Sequence, residues 1–192
     1  MNDLAGETFV FIGRPGSGKG TQSELFVKRL EADGYDVLTL AVGNLGRALG
    51  ARKTLIGAWT KTMLDKGAAF PSWLAFTLLV DELAESLKDA KQVVVLDGAP
   101  RRLFEAKSLD ELMMDLGRPA PHAIYIDISE NESHRRLTAR MRGDDTPDAI
   151  ENRLSWFTTE VMPVIEYYDG RLIRIAGEGE IETVQEALVA SV

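Results

Sequence analysis

Short apolar runs recur along the chain, separated by stretches with helical periodicity. The runs cover residues 9–12, 37–40, 93–96, 123–128 and 172–175. The first run, together with Thr8 before it, shows no alternation of apolar and polar positions, which is typical of a strand buried on both faces of a parallel sheet. Strands that alternate with helices indicate an α/β fold. We therefore predict a five-stranded parallel sheet with helices on both faces.

The stretch between the second and third runs is much longer than a single crossover helix needs. Helical patterns fit about residues 44–51, 54–66 and 72–88. Gly50 and the segment from Gly67 to Pro71 separate these patterns, as loop-forming residues do. We predict a small helical insert, about 42–72, on the rim of one domain that spans residues 1–192.

The last long helical pattern is predicted to begin at Thr146, a capping residue that Pro147 follows at the first helical position. From Ile150 to Tyr168, apolar residues recur every three or four positions and form one stripe. Pro163 lies within the stripe, and the periodicity continues beyond it. We therefore expect this proline to kink the helix and not to end it.

Composition narrows the class of protein. A chain of 192 residues that is 45% hydrophobic and 27% charged fits one globular domain. Its net charge of −8 argues against a nucleic-acid binder, which normally carries a basic surface. The sequence has no cysteine, and no apolar stretch approaches the ~20 residues that span a bilayer. We expect a cytoplasmic protein that binds neither nucleic acid nor membranes.

A glycine-rich loop follows the first apolar run. Residues 13–21 read Gly-Arg-Pro-Gly-Ser-Gly-Lys-Gly-Thr, and a helical pattern comes next. Glycines let backbone N–H groups turn toward an anion, and a helix N-terminus adds positive potential. Lys19 can reach terminal phosphates, and the Thr21 hydroxyl lies near a bound metal, although Gly20 stands where such loops usually carry Ser or Thr. The loop predicts a nucleotide-phosphate site.

Charged residues also follow the third run, at the edge of the sheet where the glycine loop is expected. Asp97 directly follows this run, and a carboxylate in that position can hold magnesium directly or through water. Arg101 is expected to project into the same crevice, where its guanidinium group suits a phosphate. We interpret the neighbouring Arg102 as a solvated surface charge.

A group of arginines contrasts with the net negative charge of the chain. Its members within eight residues are Arg135, Arg136, Arg140 and Arg142. Arg136 and Arg140 share a helical face, where like charges repel unless an anion such as a polyphosphate offsets them. Arg153 could converge on the same place. The alternative interpretation is a solubilising face, although Asp144 and Asp145 could orient the arginines around a turn.

Together these motifs resemble those of the adenylate kinase family of nucleoside monophosphate kinases, collinearly over nearly the whole chain. The glycine loop is close to the family's phosphate loop. Residues 42–47 are similar to its Thr-Gly-Asp-x-x-Arg segment, and residues 96–101 to its Leu-Asp-Gly-Phe-Pro-Arg segment. Residues 142–145 and 153–154 match the Arg-x-Asp-Asp and Arg-Leu segments that follow the lid. The resemblance implies the P-loop kinase fold.

On the donor side, the resemblance implies that ATP contacts Gly16, Ser17, Gly18, Lys19, Gly20, Thr21, Arg136, Arg140 and Gly179. Within this set Arg136 would lie against the base and Arg140 near the phosphates. Magnesium would be held at Thr21 and Asp97.

On the acceptor side, the resemblance implies that the monophosphate contacts Val42, Arg47, Ala68, Ala69, Phe70, Gly98, Ala99, Pro100, Arg101, Glu105, Arg142 and Arg153. Arg47 and Arg101 would hold its phosphate, whereas Arg142 and Arg153 would lie between the two nucleotides. The implied catalytic group is Lys19, Arg101, Arg140, Arg142 and Arg153. A cis peptide bond is expected before Pro100.

The chain departs from the family pattern at the lid. By this alignment the family's lid lies between Arg140 and Arg142, and here only Met141 stands there. We therefore expect a vestigial lid at about 140–146.

A second departure concerns the residues near the acceptor base. Glu105 stands where the family has a glutamine that reads adenine, and an ionised glutamate only accepts hydrogen bonds whereas glutamine also donates them. Val42 and Ala99 replace a threonine and a phenylalanine near the same base. These changes bear on which monophosphate is accepted.

We predict a magnesium-dependent adenylate kinase that acts as a monomer and interconverts ATP plus AMP with two ADP. One alternative is a kinase for GMP or CMP, because guanine and cytosine present donors that a glutamate can accept. The other is a nucleotide-sensing module that binds without turnover. Phosphate transfer to a panel of monophosphates would separate these alternatives.

Overall fold

The computed structural model describes residues 3–140 and 146–192. Within these ranges one parallel sheet contains β1 (Thr8–Gly13), β2 (Val37–Ala41), β3 (Val93–Asp97), β4 (His122–Asp127) and β5 (Leu172–Ala176). The strands lie in the order β2-β3-β1-β4-β5, and every neighbouring pair is parallel. Each strand falls on an apolar run, so the predicted sheet is confirmed.

Helices connect the strands and cover the sheet. In the described ranges they are α1 (Lys19–Ala32), α2 (Val42–Gly50), α3 (Leu55–Asp65), α4 (Ser72–Ser86), α5 (Leu103–Asp115), α6 (Glu130–Arg140), α7 (Pro147–Trp156), α8 (Met162–Tyr167) and α9 (Ile181–Ala190). None of these described helices has the length and apolar character that a bilayer crossing requires.

The two faces of β1 contribute to two separate apolar cores. Val10 and Ile12 belong to a core shared with α4, α5 and α8. Phe9 and Phe11 belong to a core on the other face, shared with α1 and α9. Because side chains alternate across a strand, a strand covered on both faces needs apolar residues at every position. This arrangement explains the uninterrupted apolar run and confirms helices on both faces.

The fully described stretch between β2 and β3 contains α2, α3 and α4, close to the predicted helices. The Thr54 side chain caps α3 by accepting a hydrogen bond from the Gly57 N–H at 3.0 Å. The interpretation of this stretch as an insert on a single domain stays a prediction. The predicted lid lies outside the described residues at 141–145.

The C-terminal helical stripe is divided by a π-helical turn. The side chain of Thr146 caps α7 by accepting from the Ala149 N–H, as predicted. A π-helical turn, Phe157–Val161, then leads into α8, and Pro163 lies in the first turn of α8. The wider turn lies where the proline ring would otherwise meet the carbonyl of the preceding turn. Helical structure therefore continues past Pro163, as expected.

Candidate functional site

The carboxyl ends of β1 and β3 open into a cleft of about 690 Å³. Ligands of open parallel sheets bind at this edge, outside the carboxyl ends of the strands. Predicted donor-side residues that line the cleft are Gly16, Ser17, Gly18, Lys19, Gly20, Thr21, Arg136, Arg140 and Gly179. Predicted acceptor-side and metal residues that line it are Arg47, Ala68, Phe70, Asp97, Gly98, Pro100, Arg101 and Arg153.

Other predicted site residues are not among the described residues that line this cleft. They are Val42, Ala69, Ala99 and Glu105. Val42, Ala99 and Glu105 are each about 3% exposed and belong to the interior beside the cleft. Arg142 lies outside the described residues, and its predicted role stays a prediction.

The glycine loop turns sharply between β1 and α1. Gly16 and Gly18 have φ angles of 78° and 92°, in the left-handed region that favours glycine. At Gly16 a Cβ would also lie 3.2 Å from the Ser133 carbonyl oxygen, so α6 packs closely against the loop. The loop therefore has the backbone freedom and the helix N-terminus that anion binding requires.

Lys19 lies beneath this loop and holds it in shape. Its Nζ donates to the carbonyl oxygens of Gly13 and Arg14, each at 2.9 Å. Burial lowers the pKa of Lys19 to about 8, although nearby Asp97 raises it. The charges of Arg101 and Arg140 lower the same pKa further. Cations from three separate elements thus converge at one end of the cleft.

The candidate metal residues meet the loop at the end of β3. The Asp97 Oδ2 atom lies 3.4 Å from the position that a Cβ on Gly20 would take, and Thr21 lines the same cleft. The described residues contain no group of three or more His, Cys, Asp or Glu side chains suited to a metal. Magnesium, however, usually keeps several waters and takes one or two carboxylates together with substrate phosphates. One carboxylate and one hydroxyl beside a phosphate loop fit that mode of binding.

Arginines gather on the acceptor side of the cleft. Burial lowers the pKa of Arg101, while Asp97 and Glu105 raise it and the charges of Arg153 and Arg47 lower it. These influences mean that three guanidinium groups lie close together. Because the three cations repel one another, a multiply charged anion such as a phosphate would stabilise the site by offsetting this repulsion.

Glu105 lies behind Arg101, in the first turn of α5. Its Oε2 accepts a hydrogen bond from the backbone N–H of Arg101 at 2.8 Å, and the Ser72 side chain also bonds to the carboxylate. Burial raises the pKa of Glu105, and these two hydrogen bonds oppose the rise. The carboxylate is therefore already engaged, and its role in reading a base stays a prediction.

The arginines of α6 have different surroundings. Arg135 is exposed and pairs with Glu132. Arg136 also pairs with Glu132, at 2.6 Å, and its Nη2 donates to the Gly177 carbonyl oxygen at 2.9 Å. Arg136 and Arg140 line the cleft, so this part of the cluster is not a purely solubilising face.

Side-chain donors hold the backbone of residues 66–70, and no pattern in the sequence indicates these contacts. Asn152 Nδ2 donates to the Lys66 carbonyl oxygen at 3.0 Å, and Trp156 Nε1 donates to that of Gly67 at 3.1 Å. Arg102 Nη1 donates to the carbonyl oxygen of Phe70 at 2.8 Å.

The structure differs from the interpretation of Arg102 as a solvated surface charge, because the side chain of Arg102 holds the backbone of Phe70. Its Nε also pairs with Glu160 at 2.8 Å, in the π-helical turn. Arg102 therefore joins the start of α5 to two other segments. The sequence could not indicate this, because both partners are distant along the chain.

Comparison with known proteins shows which family the sequence resembles. A family model described as adenylate kinase matches residues 11–173. An adenylate kinase of Stenotrophomonas maltophilia is 30% identical over 95% of this chain and 97% of its own length. An adenylate kinase of Dehalococcoides mccartyi is 31% identical over 95% of this chain and 96% of its own. An adenylate kinase of Corynebacterium aurimucosum is 33% identical over 93% of this chain and 94% of its own.

Proposed function

Since the chain belongs to the adenylate kinase family, we propose that its cleft transfers a phosphoryl group reversibly from ATP to AMP, giving two ADP. The protein has the P-loop kinase fold and is an ATP-dependent nucleoside monophosphate kinase. One observation carries the proposed mechanism. A phosphate loop with its lysine and a group of three arginines line the same cleft, and the charge of Asp97 acts on both Lys19 and Arg101.

On the donor side, backbone N–H groups of the glycine loop would bind the phosphates of ATP at the N-terminus of α1. Lys19 would exchange its present acceptors, the carbonyl oxygens of Gly13 and Arg14, for phosphate oxygens. A polyphosphate next to the amine favours its charged form, which burial alone disfavours. Arg136 and Arg140 would lie along the same nucleotide, and Gly179 would line its side of the cleft.

The adenylate kinase family generally works with magnesium, and the residues at the end of β3 fit this ion. Asp97, directly or through water, and the Thr21 hydroxyl would hold it beside the donor phosphates. A bound magnesium ion neutralises charge on the transferring group. Asp97 also keeps a negative charge close to Lys19 and Arg101, which would hold both cations in place.

On the acceptor side, Arg47 and Arg101 would hold the phosphate of AMP, and Arg153, close to Arg101, would lie between the two nucleotides. Their guanidinium groups provide fixed donors for phosphate oxygens, and the bound anion would relieve the repulsion among the three cations. Because phosphoryl transfer needs little acid–base chemistry, in-line placement and charge neutralisation supply most of the acceleration. No described residue has to act as a general base in this scheme.

Several broader features form part of the same proposal. We propose one domain with a helical insert at about 42–72 and a reduced lid at about 140–146, which lies mostly outside the described residues. The protein would act as a cytoplasmic monomer on ATP, AMP and ADP. The absence of cysteine and the bacterial origin of the relatives support this environment.

The experiment that tests the proposed function is direct detection of products. The purified chain would be mixed with ATP, magnesium and one of AMP, GMP, CMP or UMP, and diphosphates would be separated by ion-exchange chromatography. We expect ADP from ATP plus AMP, formation of ATP and AMP from ADP alone, and loss of both reactions with EDTA. Faster transfer to GMP or CMP than to AMP would indicate a kinase for that monophosphate. Nucleotide binding with no transfer would indicate a sensing module.

A further inference from the structure

Trp156, the last residue of α7, makes two defined contacts on the acceptor side of the cleft. The guanidinium carbon of Arg101 lies 5.2 Å from the centre of the indole ring. The indole N–H donates to the carbonyl oxygen of Gly67 at 3.1 Å. Trp156 also lines the cleft itself. A single side chain therefore contacts both an arginine assigned to the acceptor phosphate and the segment that leads to Phe70.

The helix that carries Trp156 packs closely against this segment. At Gly67, where φ is 62°, a Cβ would lie 2.4 Å from the Ala149 carbonyl oxygen. Asn152 donates to the neighbouring carbonyl oxygen of Lys66 at 3.0 Å. Residues 149, 152 and 156 are three and four positions apart and therefore share one face of α7. The indole contact is thus part of an extended interface and is not an isolated hydrogen bond.

The charges around Arg101 explain why an aromatic ring is useful there. Arg47 and Arg153 lie close enough to disfavour its charge, and among the described residues Asp97 and Glu105 oppose them. The face of an indole ring attracts a cation without adding a formal charge, and tryptophan does so most strongly among the aromatic side chains. A ring beneath the guanidinium group also fixes its plane, which determines how it meets two phosphate oxygens.

We propose that Trp156 is a positioning residue for the acceptor monophosphate. Its ring fixes the plane of Arg101, and its N–H fixes Gly67, so the phosphate-binding arginine and the 66–70 segment keep one relative placement. This inference rests on the proposed function and adds a residue to the acceptor half of the site. Trp156 acts through Arg101 and the segment, so its loss affects AMP far more than ATP.

Two substitutions separate the two contacts of the indole. Trp156→Phe keeps a ring beneath Arg101 and removes the donor to Gly67, and we expect the KM for AMP to rise about threefold. Trp156→Leu removes both contacts, and we expect a rise of about tenfold. The KM for ATP should stay within about twofold of the original in both variants, because the two defined contacts of Trp156 are with Gly67 and Arg101 on the acceptor side.

The matched control is Trp73→Leu. Trp73 lies on α4, is 55% exposed, stacks on Trp59 and does not line the cleft. We expect this variant to keep both KM values. Equal rises of both KM values in Trp156→Leu, or an unchanged KM for AMP, would overturn the proposal.

A spectroscopic test does not depend on turnover. With Trp59 and Trp73 both replaced by phenylalanine, Trp156 becomes the single tryptophan of the chain. We expect saturating AMP to change its emission clearly and ATP alone to change it much less. This measurement tests the placement of Trp156 even if Trp156→Leu does not fold. Tryptophan emission that does not change when AMP is added would overturn the proposal. Absence of ADP formation by the unaltered chain would instead count against the proposed function.

Discussion

The donor and acceptor halves of the cleft are built in different ways. The phosphate loop of the donor half is local, since Lys19 bonds to carbonyl oxygens five and six residues away, within a single loop. The acceptor half is assembled from distant segments. Trp156 holds Gly67 across 89 residues, and Arg102 holds Phe70 across 32 residues.

The two halves are therefore expected to respond differently to substitution. A local loop keeps its backbone shape as long as its glycines and its neighbouring helix remain. A site assembled from distant segments depends on side chains that never touch the substrate. Substitutions in the phosphate loop should therefore affect mainly the binding of ATP. Substitutions around the acceptor half should weaken the binding of AMP even when the substituted residue lies outside the site.

The largest expected effect comes from removing the central cation of either half. Lys19→Ala and Arg101→Ala should each lower kcat/KM by about 10²–10³, because each removes one preorganised contact to the transferring phosphoryl group. Steady-state kinetics with both substrates measures the loss, and circular dichroism checks that each variant folds. The matched control is Lys28→Ala, which replaces an exposed lysine on α1, the helix that begins at Lys19. Near-normal kcat/KM in either site variant would remove that residue from the mechanism.

The pH dependence separates the two halves. Burial lowers the pKa of Lys19 to about 8, so its amine loses its charge as the pH rises through that value. The acceptor arginines stay charged, because arginine is not deprotonated in this range. The KM for ATP should therefore rise about tenfold between pH 8 and pH 9.5, while the KM for AMP changes little.

The conservative variant Lys19→Arg provides the control for this pH profile. Its guanidinium group stays protonated, so whatever activity it retains should show a flat KM for ATP over the same range. A rise that persists in Lys19→Arg, or a parallel rise in the KM for AMP, would assign the titration to another group.

A smaller effect concerns Glu105 and the acceptor base. Glu105→Gln supplies a donor for adenine N1, so we expect the preference for AMP over GMP to rise about twofold to tenfold, in line with a hydrogen bond of roughly 0.5–1.5 kcal/mol. Burial raises the pKa of Glu105, so its protonated form, which also donates, gains population as the pH falls. The AMP preference of the unaltered chain should therefore rise toward low pH, whereas that of Glu105→Gln stays flat. Identical preference profiles would show that residue 105 does not read the base.

The same contrast explains which features the sequence could predict. The glycine loop and Asp97 follow apolar runs directly, and Arg101 comes four residues after Asp97, so their place at the sheet edge comes from local order along the chain. The parallel sheet itself follows from the apolar runs, of which those in β1, β3 and β4 are largely buried. These predictions need only neighbouring residues and the geometry of strands.

The remaining features depend on tertiary contacts that no local pattern encodes. Trp156 continues an ordinary helical stretch, and its partners Gly67 and Arg101 lie in other elements. Arg102 looks like a surface charge until Glu160 and Phe70 are brought beside it. The π-helical turn likewise depends on how the segment before Pro163 packs, which the apolar stripe alone does not indicate.

We propose that one cleft holds donor and acceptor phosphates together. Calorimetric titration with a bisubstrate analogue, two adenosines joined by a chain of five phosphates, tests whether both sites are occupied at once. Joining two ligands that fit adjacent sites raises affinity by about 10²–10⁴ over either alone. We expect one analogue per chain, bound about 10²–10⁴ tighter than ATP, and weaker binding in both Lys19→Ala and Arg101→Ala. Two analogues per chain, or an affinity no greater than that of ATP, would contradict the account.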